Sequence, residues 1–342
     1  MIGYYVHHVG LGHLQQARCI AARLNDDVTG LSSLPRPAGW LGDWIQLCAE
    51  DAGESGRGGD PTAGGQLHWA PLRDGGLRTR MGEIAAWVVR YDPSVLVADV
   101  SVEVTALARL MGVPVACMML PGARNDAAHR LGWSLADLLL APWPDTLSTQ
   151  LLTGAQEWAT KTRHVGAFSR FDERQRVARP VEARTVVVLQ GRGGSSLRER
   201  DLHEAAAAAP CWRWSDLGST SGRWVDDPWP TLCTAEVVVT HGGLNALAEV
   251  AAAGRPAVVV PAPRPHREQV TTARVLGSNK IAIAVPRWPD PGEWPALLGA
   301  ASRLEDRWPS WSFGDGARRA AAAIESLAAR TERTYLPCAS PS

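Results

Sequence analysis

The sequence predicts an α/β protein of two domains, each built on a parallel sheet, and three observations predict it. Short β-branched runs alternate with Ala/Leu-rich stretches of helical spacing along nearly the whole chain, the pattern of repeated strand–helix–strand units. The 342 residues suffice for two separate apolar cores. The alternation breaks once, at a polar, Arg-rich connector from Phe168 to Arg184 with Pro180 inside it.

In the first domain, residues 1–167, the segments Ile2–His7, Ser94–Ala98, Val115–Met119 and Leu138–Ala141 read as buried strands. Leu11, Leu14, Ala17, Ile20, Ala21 and Leu24 fall on one face of a helix. A further helix around Thr105–Leu110 is stopped by Gly112 and Pro114. Residues 49–66 are Gly-rich and without periodicity, which predicts a mobile loop. After a linker at 168–184, the second domain (185–330) contributes strands at Thr185–Leu189, Glu236–Thr240, Ala257–Val260 and Ile281–Val285. An Ala-rich helix from Gly316 to Ala329 closes it, and residues 331–342 form a tail.

Composition narrows the function classes. Lys plus Arg (35) balances Asp plus Glu (35), so no global field attracts nucleic acid. The six cysteines are scattered, with no CxxC pair, which fits neither a disulfide framework nor a zinc site and suits a reducing cytosol. No apolar run approaches the roughly 20 residues that cross a bilayer, and residues 1–8 lack the basic start and apolar stretch of a signal peptide. The expected location is cytoplasmic, with room for a peripheral contact at the inner face of the membrane. The 15 tryptophans suit a stacked ligand or, more simply, core packing.

The segment richest in chemistry runs from Thr240 to Gln269. It leaves an apolar strand, turns at Gly242-Gly243 and enters a helix, whose unpaired N–H groups and positive end form a natural diphosphate cradle. His241, Asn245 and Glu249 recur every fourth residue and share one helical face. A carboxylate there accepts hydrogen bonds from both hydroxyls of a ribose. Each residue alone would equally suit a solvated helix face.

Taken together, His241, Gly243, Asn245 and Glu249, then Gly254 and Pro256, then Glu268-Gln269, resemble the donor-binding signature of inverting GT-B glycosyltransferases. That group includes the plant-type UDP-glycosyltransferases and the N-acetylglucosaminyltransferase of the lipid-linked peptidoglycan precursor. Two positions depart from the pattern: Glu268 stands where Asp or Gln is usual, and Leu244 where plant enzymes carry Trp. The resemblance implies two Rossmann-like domains with parallel sheets facing across a cleft. It also implies that His241, Gly242 and Gly243 meet the diphosphate, with Asn245 in the same donor set, while Glu249 takes the ribose and Glu268 and Gln269 the transferred sugar. Trp224-Val225 falls where relatives cover the uracil, and Gly191, Gly193, Gly194 and Ser195 where a Gly-Ser loop closes on the phosphates. That loop lacks the Lys-Ser/Thr of a Walker motif.

At the other end of the chain, His7 to His13 joins the first strand to the first helix. Gln15 occupies the third glycine position of the dinucleotide fingerprint, which this turn therefore is not. It resembles the Gly-x-Gly-His turn of the same glycosyltransferases, which brings Gly12 to the donor and makes His13 the base that deprotonates the acceptor hydroxyl. An imidazole of ordinary pKa near 6.5 suits that task. Asp99, at the end of the Ser94–Ala98 strand, is then the residue that orients His13; alone it would also suit a helix cap. Arg73, Arg78 and Arg80, with Arg124, Asp126 and His129, are candidates for the acceptor pocket, the arginines for an anionic group; solvated loops are the simpler account.

The implied activity is transfer of a sugar from a nucleotide sugar, with UDP the expected nucleotide, to an acceptor hydroxyl with inversion. The nucleotide sugar is a co-substrate, and no cofactor is expected. No Asp-x-Asp occurs, so no metal is implied for the leaving group. A lipid-linked precursor, a natural product and a cell-wall polymer all stay open as acceptor. The rivals are an epimerase of sugar nucleotides on the same fold and a non-catalytic sugar-nucleotide-binding protein.

Overall fold

The computed structural model describes residues 1–49, 59–176, 180–191, 197–218 and 225–334. The first half runs β1 (Ile2–Tyr5), α1 (Leu11–Ala21), β2 (Val28–Ser32), β3 (Asp43–Gln46), α2 (Gly75–Tyr91) and β4 (Val95–Asp99). It continues through α3 (Val102–Leu110), β5 (Val115–Met118), α4 (Ala127–Leu135), β6 (Leu138–Ala141), α5 (Ser148–Leu151) and β7 (Thr162–His164). The second half runs β8 (Thr185–Leu189), α6 (Glu199–Ala208), β9 (Arg213–Asp216), α7 (Trp229–Thr234), β10 (Val237–Thr240) and α8 (Leu244–Ala253). It ends with β11 (Ala257–Val259), α9 (Glu268–Ser278), β12 (Ile283–Ala284), α10 (Trp294–Ala301) and α11 (Gly316–Thr334).

Both sheets are parallel throughout. The first has the order β3-β2-β1-β4-β5-β6-β7, the second β12-β11-β10-β8-β9. Each therefore reverses its winding direction once, between β1 and β4 in the first sheet and between β8 and β10 in the second. Ligands in open α/β sheets bind beyond the strand ends at such switch points.

Side chains alternate between the faces of each sheet. Ile2 and Tyr4 of β1 pack with α1, while Tyr5 joins Leu96 and Ala98 under α2 and α3. In β8, Val186 and Val188 face α6 and α10, whereas Val187 and Leu189 face α8. Strands buried on both faces account for their unbroken β-branched composition. Trp143, Trp229, Trp294 and Trp311 are almost wholly buried, so the tryptophan-rich composition serves packing here.

Strands β2, β3, β7 and β9 are additions to the strands expected from sequence. Each is short, and β3 and β9 have charged or half-exposed residues that lack a buried-strand pattern. The expected loop around Arg73–Arg80 is instead largely helix. Asp74 accepts the Leu77 N–H at 2.7 Å and starts α2. Of the expected 49–66 loop, residues 50–58 lie outside the described residues.

The expected second domain of 185–330 differs at its end, because α11 crosses back to the first. Ala317, Ala320, Ala321, Ile324 and Leu327 pack against Ile2, Ile20, Val95 and Leu138. The reason is amphipathic spacing: these residues form one apolar stripe, and the matching apolar groove lies beside α1. Nor is the 168–184 connector merely polar. Phe168 and Phe171 are buried, and Phe171 lies 5.0 Å from Trp229 in a core shared by both halves.

The halves also meet through polar contacts. Asn245 Nδ2 donates to the Gly12 carbonyl at 2.8 Å, the Ala123 N–H to the His266 carbonyl at 2.8 Å, and Arg124 pairs with Glu268 at 3.1 Å. Gly122 has φ +114°, and a Cβ there would collide with the His266 carbonyl.

Two outcomes follow for stability. Ile324→Ala should lower the urea midpoint by the equivalent of about 2–5 kcal/mol, whereas Leu110→Ala, at a site 86% exposed, should change it by under about 0.5 kcal/mol. Gly122→Ala should loosen the seam between the halves, read as a larger radius of gyration in solution scattering; an unchanged radius would show that the seam yields without opening.

Candidate active site

The two switch points face each other across a cleft of about 650 Å³. On the first-domain side, the β1–α1 turn presents His7, Gly12 and His13, and the end of β4 supplies Asp99. On the other side are Gln190 and Gly191 after β8, and His241, Gly243, Asn245 and Glu249 after β10.

His13 Nδ1 lies 2.9 Å from Asp99 Oδ2. Asp99 is only 1% exposed, and its other oxygen has no partner among the described residues. Burial alone would pull the His13 pKa down. The charge and hydrogen bond of Asp99, with Glu268 adding to them, outweigh it and hold His13 above its ordinary value. The neutral imidazole keeps its proton on Nδ1 for Asp99, leaving Nε2 as the acceptor.

Asp99 does not cap α3. Ser101 does, accepting the Val104 N–H at 3.2 Å. Between them Val100 sits at φ +67°, a conformation that costs a β-branched residue about 1–3 kcal/mol. This sharp bend lets one residue end a strand facing His13 and the next-but-one begin a helix.

Across the cleft, His241 Nδ1 accepts the Gly243 N–H at 3.0 Å, so its proton is on Nε2. That Nε2–H is buried and has no partner among the described residues. Burial, then the charge of Arg264, lowers the His241 pKa to about 4, which makes the ring a neutral donor at working pH. A Cβ at Gly191 would lie 3.0 Å from this nitrogen and a Cβ at Gly243 2.5 Å from the same ring, so glycine at both positions keeps its approach open.

Glu249 is buried in α8 and accepts from Arg170 Nε at 2.8 Å. Burial raises its pKa and Arg170 opposes the rise. Arg170 also donates to the Asp226 carbonyl at 3.1 Å, joining the connector to the second domain. The sequence reading missed this residue, since an arginine in a connector without periodicity carries no signal of its own.

Other expected site residues distribute unevenly. Val225 and Glu268 line the cleft. Gln269 does not: it is buried behind the turn, where its Oε1 accepts the Ala262 N–H at 2.9 Å and its backbone packs against Gly242. Gly193, Gly194, Ser195 and Trp224 lie outside the described residues. Arg73, Arg78 and Arg80 do not reach the cleft. The first two are exposed, and Arg80, on α2, is buried against Tyr5 Oη, Ser33 Oγ and the Cys48 carbonyl.

Arg124 and His129 do line the cleft, in one network. Arg124 donates to the Pro121 carbonyl at 3.0 Å, to His129 Nε2 at 2.9 Å and to Glu268 at 3.1 Å. His129 must then carry its proton on Nδ1, which it gives to Asp126, the cap of α4, at 2.7 Å. Burial, then Arg124, lowers the His129 pKa to about 4. His68 approaches the same Nδ1 at 3.4 Å. His68, Asp126 and His129 have ligand atoms within 4.8 Å of one another. A cation on Nδ1 would move the proton to Nε2, against the Arg124 N–H, so the trio works as a hydrogen-bond network.

The model of the family described as "Glycosyltransferase family 28 C-terminal domain" matches residues 226–287, which hold the His241–Gly243 turn, Asn245, Glu249 and Glu268. The UDP-N-acetylglucosamine–N-acetylmuramyl-(pentapeptide) pyrophosphoryl-undecaprenol N-acetylglucosamine transferase of Sorangium cellulosum is 28% identical over 313 residues, covering 77% of this chain and 74% of that protein. The enzyme of the same name from Rubrobacter xylanophilus is 29% identical over 257 residues, covering 67% and 70%. Among solved structures, a UDP-glucosyltransferase from Polygonum tinctorium superposes with a TM-score of 0.65 over 97% of this chain and 98% of its own, at 15% identity. With the matched β10–α9 segment, relatives along most of the chain and a shared two-sheet architecture in agreement, the chain is a glycosyltransferase with the GT-B fold, similar to the group that holds the UDP-glycosyltransferases and the peptidoglycan-precursor N-acetylglucosaminyltransferases.

Proposed function

We propose that the enzyme moves a sugar from a UDP-sugar to an acceptor hydroxyl by direct displacement at the anomeric carbon, inverting its configuration. The observation that carries this reading is the placement of the His13–Asp99 pair across one cleft from the His241–Gly243 turn and Glu249. His13 takes the acceptor proton on Nε2 as the oxygen attacks, and Asp99 stabilises the imidazolium that forms. The bond from the anomeric carbon to the diphosphate oxygen breaks on the opposite face. Charge growing on the leaving diphosphate is met by the His241 Nε2–H and the N-terminus of α8. No step here calls for a divalent metal.

UDP is favoured by Glu249. A buried carboxylate gains more from the two hydroxyls of a ribose than from the one of a deoxyribose. Arg170 holds that carboxylate, so a bound ribose would share or replace the pair. The names of the relatives point to the same nucleotide. A sugar-nucleotide donor and five described cysteines without a disulfide suit the cytoplasm.

Four results would check this reading. UDP at about 100 times its dissociation constant should stabilise the protein by about 2.7 kcal/mol; a thermal midpoint indifferent to uridine nucleotides and moved by deoxythymidine or guanosine ones would remove the UDP assignment. His13→Ala should lower kcat by about 10²–10⁴ while UDP binding persists, and an unchanged turnover would take the base role from His13. In wild type, activity should rise with pH through a limb set above the ordinary histidine value, because the base works only when neutral. Asp99→Asn removes the carboxylate that holds this pKa up, so the limb should move toward lower pH as the maximal rate drops.

A further inference from the structure

The donor signature that the sequence resembles carries Asn245 among its ligands. The structure turns that amide to a different partner. Asn245 is the second residue of α8, and its Nδ2 donates at 2.8 Å to the carbonyl of Gly12, the second residue of α1. The bond crosses the seam and joins the opening turns of the two helices that flank the cleft. Its fit is close, since a Cβ at Gly12 would lie 2.9 Å from the same nitrogen.

The opening turn of α1 is weak on its own. Gly10 precedes it at φ +83°, and no side chain caps the helix there. Gly12 adds backbone freedom within the turn, glycine being among the poorest helix formers. In an α-helix the Gly12 carbonyl takes the N–H of Gln16, which leaves it a second lone pair. Asn245 fills that second position from the other half of the molecule. It thereby fixes the peptide plane between Gly12 and His13.

His13 is then held twice. Asp99 fixes its ring from within the first half, at 2.9 Å. Asn245 fixes its backbone from the second half, four residues beyond His241 on the donor side. The ring contact sets orientation, but the distance from base to donor depends on how the two helix ends meet. A misplacement of about 1 Å there costs a reaction on the order of a hundredfold. We infer that Asn245 is a positioning residue, which aligns the His13 backbone with the donor side of the cleft and does not bind the diphosphate. This rests on the reading given above, with His13 as base and the start of α8 as the diphosphate seat.

Asn245→Ala tests it in the full chain, with UDP as the probe. Calorimetric UDP affinity should stay within about twofold of wild type. A lost hydrogen bond to a charged phosphate would instead weaken it about tenfold or more. Hydrogen exchange at the Gln16 amide should quicken by about threefold to tenfold as the first turn of α1 loosens. In protein labelled with 15N-histidine, the His13 ring signals should shift and broaden. Those of His164, on β7, should stay in place, which a general loss of stability would not allow. Asn245→Leu, which also lacks the amide, repeats the test should the alanine variant not fold. A tenfold loss of UDP affinity overturns the inference, and so does unaltered Gln16 exchange or an unmoved His13 signal. Wild-type binding separates the two levels. If the wild type does not bind UDP, the reading of the site fails; if it binds and the variant gives an overturning result, only the role of Asn245 fails.

Discussion

Parallel pairing is the constraint on which the rest of this molecule depends. In a wholly parallel sheet every strand-to-helix turn emerges at the same edge, so one edge of each sheet collects all of its loops. The winding reverses at β1/β4 and again at β8/β10, and each reversal splays two neighbouring turns apart to leave a crevice. When two such edges face each other, the crevices face too. His13 and Asp99 come from the two turns of one reversal, Gly191 and His241 from the two turns of the other. Residues separated by most of the chain thereby meet without any loop having to be long.

Much of this was legible in the sequence because it was written in strong local signals. The central strands are unbroken β-branched runs, and β1, β4, β5, β6, β8, β10 and β11 fall within a residue or two of where those runs stand. The four-residue rhythm of His241, Asn245 and Glu249 does place all three at the cleft. What stayed hidden depends on tertiary partners. Short edge strands such as β3 and β9 have no buried periodicity. The α2 segment reads as a Gly-punctuated loop until Asp74 is seen capping it. Gln269 sits next to Glu268 in sequence, yet the first turn of α9 points one into the cleft and the other behind the Gly242 turn. Arg170, His68 and His266 carry no local signal and join the cleft only in the folded chain.

The electrostatics of the cleft are arranged in closed pairs. His13 is matched by Asp99, Glu249 by Arg170, and Glu268 by Arg124. One of the three pairs, Arg124–Glu268, joins the two halves, and Arg170–Glu249 ties the connector to the second. Buried ion pairs are poor sources of net stability but costly to break from one side. Such pairing holds the geometry of the cleft while keeping its net charge low.

The return of α11 to the first half has a mechanical meaning. The polypeptide passes between the lobes twice, once near 168–184 and again between α10 and α11. A single tether would let one lobe twist and swing on the other in any direction. Two tethers fix a line, and relative rotation is then confined largely to bending about it, like a book on its spine. Any opening and closing of the lobes would then run along one degree of freedom, which would return His13 and His241 to the same alignment each time.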